Sequence, residues 1–271
     1  MAIVILSAVA AAVVMAFIPR IPQSQSYHTF ADNRVVFGIP HFGDVVTNLA
    51  FVVVGAFGLR HVVRARRGKK RDASLGPVQA WGYGAFFAGV GLVGFGSSWY
   101  HLAPSNNSLV WDRLPMSIAF MGLFSAVIGE RVSRRAGLWL LPVLSCAGIG
   151  SVLYWHFTER AGAGDLRPYA LVQYYPMLAV ALILVLFRTG PAYGVWAFAA
   201  AGSYAVAKVC EYFDATIFAA TGVISGHSVK HLASALAVWF VLLMLQRRRP
   251  TNDSSSGDTQ GAQEGQARKA S

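Results

Sequence analysis

Charge is scarce in this chain. Only 13% of its 271 residues are charged, and 55% are hydrophobic; a soluble domain carries about 25% charged residues. A composition so poor in charge excludes an ordinary soluble domain and points to a membrane protein. Cysteine is also scarce. Cys146 and Cys210 both lie inside apolar stretches, so they read as small buried apolar residues and a disulfide framework is excluded. Acidic residues number 12 against 23 Lys and Arg, a formal net charge of +11. That balance invites a nucleic-acid partner, but the basic residues gather where apolar stretches meet loops, so none is expected. No internal repeat and no second globular domain stand out.

What is present is a series of long apolar stretches. Seven of them, roughly 44–63, 79–100, 113–130, 136–156, 168–187, 191–213 and 226–246, are long enough, or nearly so, to cross a hydrocarbon core of about 30 Å. A further apolar run, 1–18, opens the chain without the positive residues that precede a signal peptide core. It reads as a short additional membrane helix, with a cleaved signal as the alternative. The fold class expected is therefore all-α: a polytopic transmembrane bundle with a seven-span core in 44–246, preceded by the apolar helix and a non-cytoplasmic segment, 19–43. The tail, 247–271, is rich in Ser, Gly, Gln, Asn and Asp and is expected to be disordered.

Lys and Arg set the orientation. Arg60, Arg64, Arg66, Arg67, Lys69, Lys70 and Arg71 follow the first of the seven spans; Arg131, Arg134, Arg135 and Arg188 fall in alternate loops, and Arg247, Arg248 and Arg249 follow the last span. The opposite face holds Arg20, Arg34, Arg113, Arg160, Arg167 and Lys230. The basic face is therefore expected to be cytoplasmic. That topology brings three span ends to the other face: the one bearing Ser97 and His101, the one after Asp112, and the one at His227 and His231.

Those residues carry the chemistry. His227 and His231 stand i, i+4, so on a helix both imidazoles point to one side. With His101 they offer three neutral imidazoles and an open position, the donor set of a catalytic zinc. Zinc lowers the pKa of its bound water to about 7 and polarises a carbonyl. Asp112 could take the water's proton and deliver it to a leaving amine, and Ser97, one turn before His101, could orient a ligand or donate to a developing oxyanion. Each has a plainer role when taken alone. Asp112 suits an N-cap of the third span, Ser97 a small packing residue beside Gly91, Gly94 and Gly96, and each histidine an interfacial polar group. Together on one membrane face they point to a shared site.

The strings Gly96-Ser97-Ser98-Trp99-Tyr100-His101, Trp111-Asp112-Arg113-Leu114-Pro115-Met116 and Gly226-His227-Ser228-Val229-Lys230-His231 resemble the alkaline ceramidases. These belong to a superfamily of seven-span metal hydrolases with adiponectin receptors and haemolysin-III-like proteins. Asn48, in Asp44-Val45-Val46-Thr47-Asn48-Leu49, also resembles the first span of that branch. Outside the strings the likeness is one of hydropathy and span count. It implies zinc on His101, His227 and His231, with Asp112 and Ser97 beside it. It also implies hydrolysis of a ceramide-type membrane lipid to a sphingoid base and a fatty acid. One departure concerns calcium. Eukaryotic relatives carry an acidic, Trp-containing calcium segment before the first span, where this chain has Ser26-Tyr27-His28-Thr29-Phe30-Ala31-Asp32-Asn33 and then His41. Asp32, Asn33 and Asp44 supply too few oxygens for the six to eight ligands calcium usually takes, so that calcium site is expected to be absent.

Lys208, Glu211 and Asp214, at i, i+3 steps, form a second polar group in span six, an internal ion pair or a substrate contact. Trp81, Trp99, Tyr100, Trp111, Tyr154, Trp155, Tyr174 and Tyr175 read as interface anchors. Competing functions are hydrolysis of another acyl amide or ester, a receptor-like relative with structural zinc, for which His156 is the nearest spare ligand, and a transporter.

Overall fold

The structure is a computed structural model that describes residues 2–67, 75–187 and 191–247. Ten α-helices appear among these: α1 Ala2–Phe17, α2 Phe42–Thr47, α3 Leu49–Arg67, α4 Pro77–Leu102, α5 Asn106–Arg131, α6 Arg134–Arg160, α7 Arg167–Leu186, α8 Pro191–Tyr212, α9 Asp214–Thr221 and α10 Gly226–Gln246. Among the described residues there is no β-strand, and the fold is the all-α polytopic bundle expected. Six segments are long and apolar enough to cross a membrane: α2 and α3 taken together, α4, α5, α6, α7 and α10. The sixth expected span, α8, has the length at 22 residues but stands outside that set, because Lys208, Glu211 and its tyrosines dilute its apolar character. The tail 248–271 and Lys69, Lys70, Arg71 and Arg188 lie outside the described residues.

Helix ends differ from the hydropathy bounds for identifiable reasons. The third span starts seven residues earlier than apolarity suggests, because Ser105 and Ser108 form a reciprocal capping box. Asp112 therefore lies inside α5 and caps nothing, which corrects the N-cap assignment. The first span is interrupted at Asn48, between α2 and α3. Asp214 is not part of the sixth span but opens the short helix α9.

Hydrophobicity alone does not hold helices together in lipid; close packing does. The tightest pair is α4 with α5. A Cβ added at Gly89 would lie 2.7 Å from the Ala119 nitrogen and 2.8 Å from the Pro115 carbonyl, and one at Gly96 would run into the Trp111 carbonyl. The core around this seam joins Phe86, Phe87 and Val90 of α4, Ala119 and Ala126 of α5, and Leu242 and Leu245 of α10. α10 packs between α8 and α3, while α7 packs against α5, α6 and α1. α1 is tied to α7 by Tyr175, whose hydroxyl donates to the Val4 carbonyl at 2.8 Å, and by Arg167, which donates to the Ile18 carbonyl at 2.7 Å. Consecutive though they are, α7 and α8 barely touch.

Two of the expected interface anchors are core residues. Tyr100 and Trp155 are fully buried, whereas Trp81, Trp99, Trp111, Tyr154 and Tyr174 are exposed as anchors should be. The Arg113 guanidinium explains the burial of Trp155: it lies 4.1 Å from that ring and 4.7 Å from the Tyr169 ring, a cation–π arrangement, and donates to Gln23 Oε1 at 2.7 Å.

Candidate metal centre

His101 lies in the last turn of α4, and His227 and His231 in the first turns of α10. All three are buried. Their ring centroids lie 4.8 Å (His101–His227), 5.1 Å (His101–His231) and 4.8 Å (His227–His231) apart, and one nitrogen from each lies within 4.8 Å of the others. Among the described residues this is the group of His, Cys, Asp and Glu side chains able to hold a metal ion. His156 is not part of it; that residue sits on α6 between the rings of Trp155 and Phe157.

Two hydrogen-bond observations fit a metal. His101 Nδ1 is buried with no hydrogen-bond partner, an uncompensated cost unless a ligand satisfies the ring. The Thr47 hydroxyl donates to the Gly43 carbonyl at 2.8 Å, so at 3.0 Å it accepts from His231 Nδ1–H. His231 Nε2 is left with its lone pair free to ligate, because the oxygen partner at Nδ1–H fixes the tautomer, as it does in metal-bound imidazoles. His227 Nε2 accepts from the Lys230 ammonium at 2.8 Å, so a metal reaching this ring must bind Nδ1 or displace the ammonium.

The start of α10 is built to place its histidines. Ser225 caps the helix by accepting from Ser228 N–H and donates to Asp44 Oδ1 at 2.8 Å; Ser228 Oγ donates to the same oxygen at 2.6 Å. Such a cap contributes about 0.5–2 kcal/mol, and here it also docks α10 on α2. Asp214, grouped from sequence with Lys208 and Glu211, takes no part in their ion pairing. Its two oxygens accept from His227 N–H at 2.8 Å and Ala31 N–H at 3.0 Å, linking α9, α10 and the N-terminal segment. Phe30 from that segment stacks edge-on against His101 (4.5 Å) and His227 (4.7 Å), and Phe51 against His231 (5.9 Å). Aromatic walls of this kind limit the access of bulk water to the three imidazoles.

Ser97 is buried and is a hydrogen-bond partner of the Asp112 carboxyl across the α4–α5 seam. Both line one largely apolar cavity of about 310 Å³ together with His231. The cavity is walled by α4, α5, α7, α8 and α10, and its polar end also includes Lys208, Glu211 and Lys230. Lys208 Nζ pairs with Glu211 Oε2 at 2.7 Å and Lys230 Nζ with Glu211 Oε1 at 3.1 Å. Asn48 is fully buried at the helix break, where its amide donates to the Asp44 carbonyl at 2.8 Å and its Oδ1 is buried without a hydrogen-bond partner.

Of the residues weighed as calcium ligands, Asp32 has another partner at both oxygens, whereas Asp44 Oδ2 is buried without one. Asp32 is gripped at both oxygens by the Arg34 guanidinium, at 2.7 and 2.8 Å, which holds its carboxyl below the ordinary value of 3.8. Arg34 also donates to the Gly222 and Val223 carbonyls, at 3.3 and 2.6 Å, clasping the loop that leads into α10.

Sequence reasoning singled out His101, His227, His231, Ser97 and Asp112, and the structure brings them to one end of the bundle. It missed Lys230, Thr47 and Phe30. A lysine inside a membrane span is a signal in its own right, but Thr47 and Phe30 carry none. No family model matches the chain, and no curated protein matches it.

Proposed function

We propose that this protein is an integral-membrane, zinc-dependent amidohydrolase that cleaves the amide bond of ceramide-type lipids to a sphingoid base and a fatty acid. The observation that carries this reading is the meeting of three buried imidazoles with the Ser97–Asp112 pair at the polar end of an apolar cavity inside the bundle. Zinc held by three imidazoles supplies Lewis acidity and makes water reactive near neutral pH. The residues do the rest. Asp112 receives the proton of the attacking water and passes it to the leaving nitrogen. The Ser97 hydroxyl orients that carboxyl. Phe30 and Phe51 exclude bulk water, and the apolar wall formed by Phe86, Val90, Met116 and Val241 takes an acyl chain. The gap between α7 and α8 opens the cavity sideways, the direction from which a bilayer lipid arrives. The resemblance of the three histidine- and aspartate-bearing strings to alkaline ceramidases supports the same chemistry.

The test is fatty-acid release from a panel of ceramides and ester lipids by the purified chain, with zinc, with chelator, and with the His231→Ala variant. Chelator-sensitive release from ceramides that the variant lacks is the expected result. Metal bound at full occupancy with no release from any lipid overturns the enzymatic reading.

A further inference from the structure

The proposed reaction gives no task to Lys230, which stands between the two histidines of α10. Its ammonium lies 2.8 Å from His227 Nε2 and 3.1 Å from Glu211 Oε1. Its charge acts on all three imidazoles and on Asp112, and it lines the cavity with Ser97, Asp112 and His231. The carboxyl groups of Glu211, Asp112, Asp214 and Asp44 stand near Lys208 and Lys230, so no positive charge is in surplus. The resource Lys230 brings to the cavity is therefore an N–H donor.

The Lys230 bond to His227 and a metal on His227 exclude each other. A neutral imidazole has one N–H and one lone pair. While Nε2 accepts from the ammonium, Nδ1 carries the hydrogen and has no lone pair to give. Ligation through Nε2 takes the lone pair that the ammonium uses. Ligation through Nδ1 moves the hydrogen to Nε2, which then cannot accept. Either way Lys230 keeps Glu211 and loses His227. An ammonium has three donors, so at least one is then freed toward the cavity that the side chain lines. That side chain is only 18% exposed, and a donor so enclosed is costly to leave unpaired.

We infer that Lys230 is a further catalytic residue, whose N–H, freed from His227 when that ring ligates a metal, donates to the amide carbonyl oxygen of the substrate. This rests on the amidohydrolase reading and adds the group that meets the developing negative charge. As water adds to the carbonyl carbon, the π pair moves onto that oxygen and the ammonium stabilises it there. When the C–N bond breaks, the pair returns to the carbonyl and the nitrogen leaves with the proton that Asp112 took from the water. Lys230 keeps its own protons throughout. Glu211, bonded also to Lys208, anchors the ammonium at the polar end of the cavity. A neutral ceramide amide suits the arrangement, because its oxygen carries charge only in passing.

The experiment compares Lys230→Met and Lys230→Arg with the wild type in two readouts: zinc affinity of the purified full chain, by competition with a chelator, and ceramide turnover. Lys230→Met is expected to bind zinc about tenfold more tightly than the wild type, because no charged hydrogen bond competes for His227. Lys208→Met removes a charge from the same wall without touching His227 and shifts the affinity far less. At full zinc occupancy, kcat of Lys230→Met should fall by about 10²–10³-fold with KM within about threefold of the wild type, and Lys230→Arg should recover part of the loss. A zinc affinity in Lys230→Met no tighter than in Lys208→Met overturns the exchange at His227. Wild-type kcat in Lys230→Met overturns the catalytic assignment. So does loss of zinc from that variant, which makes Lys230 a support of the metal site, or a rise in KM alone, which makes it a binding contact. Wild-type protein that holds zinc and hydrolyses no amide removes the amidohydrolase reading itself, and this role with it.

Discussion

α4–α5 and α7–α8 are both pairs of consecutive helices in one bundle, and they behave in opposite ways. The first pair is pressed together along glycines until backbone meets backbone at Gly89 and Gly96. The second leaves a gap that lines a recess with tyrosines and a lysine. The closed seam holds Ser97 against Asp112 and ends at His101; the open one carries Lys208 and Glu211. Small residues permit the first. Charged and aromatic side chains that cannot interdigitate produce the second.

Breaking the closed seam at its chemical end should have the largest effect. Under the proposed function, Asp112→Asn keeps the three imidazoles that would hold the metal but removes the group that would carry the proton. Its kcat is expected to fall by about 10²–10⁴-fold, with metal content by elemental analysis equal to the wild type. Wild-type kcat in this variant would dismiss Asp112 from proton transfer. Next comes Gly96→Val, which forces α4 away from the Trp111 carbonyl beside Asp112. A misplacement of about 1 Å costs on the order of 10²-fold, so activity should drop by about that much while the folded fraction, read by size-exclusion in detergent, persists.

The open seam should respond differently. Ala201→Trp places a large ring where the cavity and the recess meet. KM for long-chain substrates is expected to rise about tenfold with little change in kcat or metal content. A fall in kcat alone would mean that the recess is not the route of entry. The smallest effect belongs to Arg34→Gln. The carboxyl of Asp32 is held below its ordinary value by that guanidinium, so the pair stabilises the fold above about pH 4 and the contribution fades as pH falls through the depressed value. Thermal unfolding between pH 3 and pH 7 should show a shallower acid limb in the variant, and an unchanged limb would place the acid sensitivity elsewhere.

Much of the candidate site was legible in the chain because its signals are local. The i, i+4 spacing of His227 and His231 is a property of any helix, and the Ser97 to His101 step likewise. Hydropathy marked the spans and the alternation of ends brought His101 and Asp112 to the level of His227. The misplaced residues share one failing: their partners are distant in sequence. Asp214 looked like a neighbour of Glu211 on a continuing helix, but the chain breaks at Phe213 and its carboxylate turns to His227 and Ala31. Trp155 looked like an interfacial anchor until Arg113, 42 positions earlier, stacked on it.

The sequence by itself determined that the chain is a helical membrane bundle, since apolar length and charge distribution act segment by segment. It also determined which histidines share a helix face. Only the tertiary structure decided that three imidazoles converge, that Thr47 leaves His231 Nε2 free, and that Lys230 joins Lys208 on a single carboxylate. Those outcomes depend on how close helices approach and at what rotation, and these follow from the packing of small side chains against neighbouring backbones, which no single segment encodes.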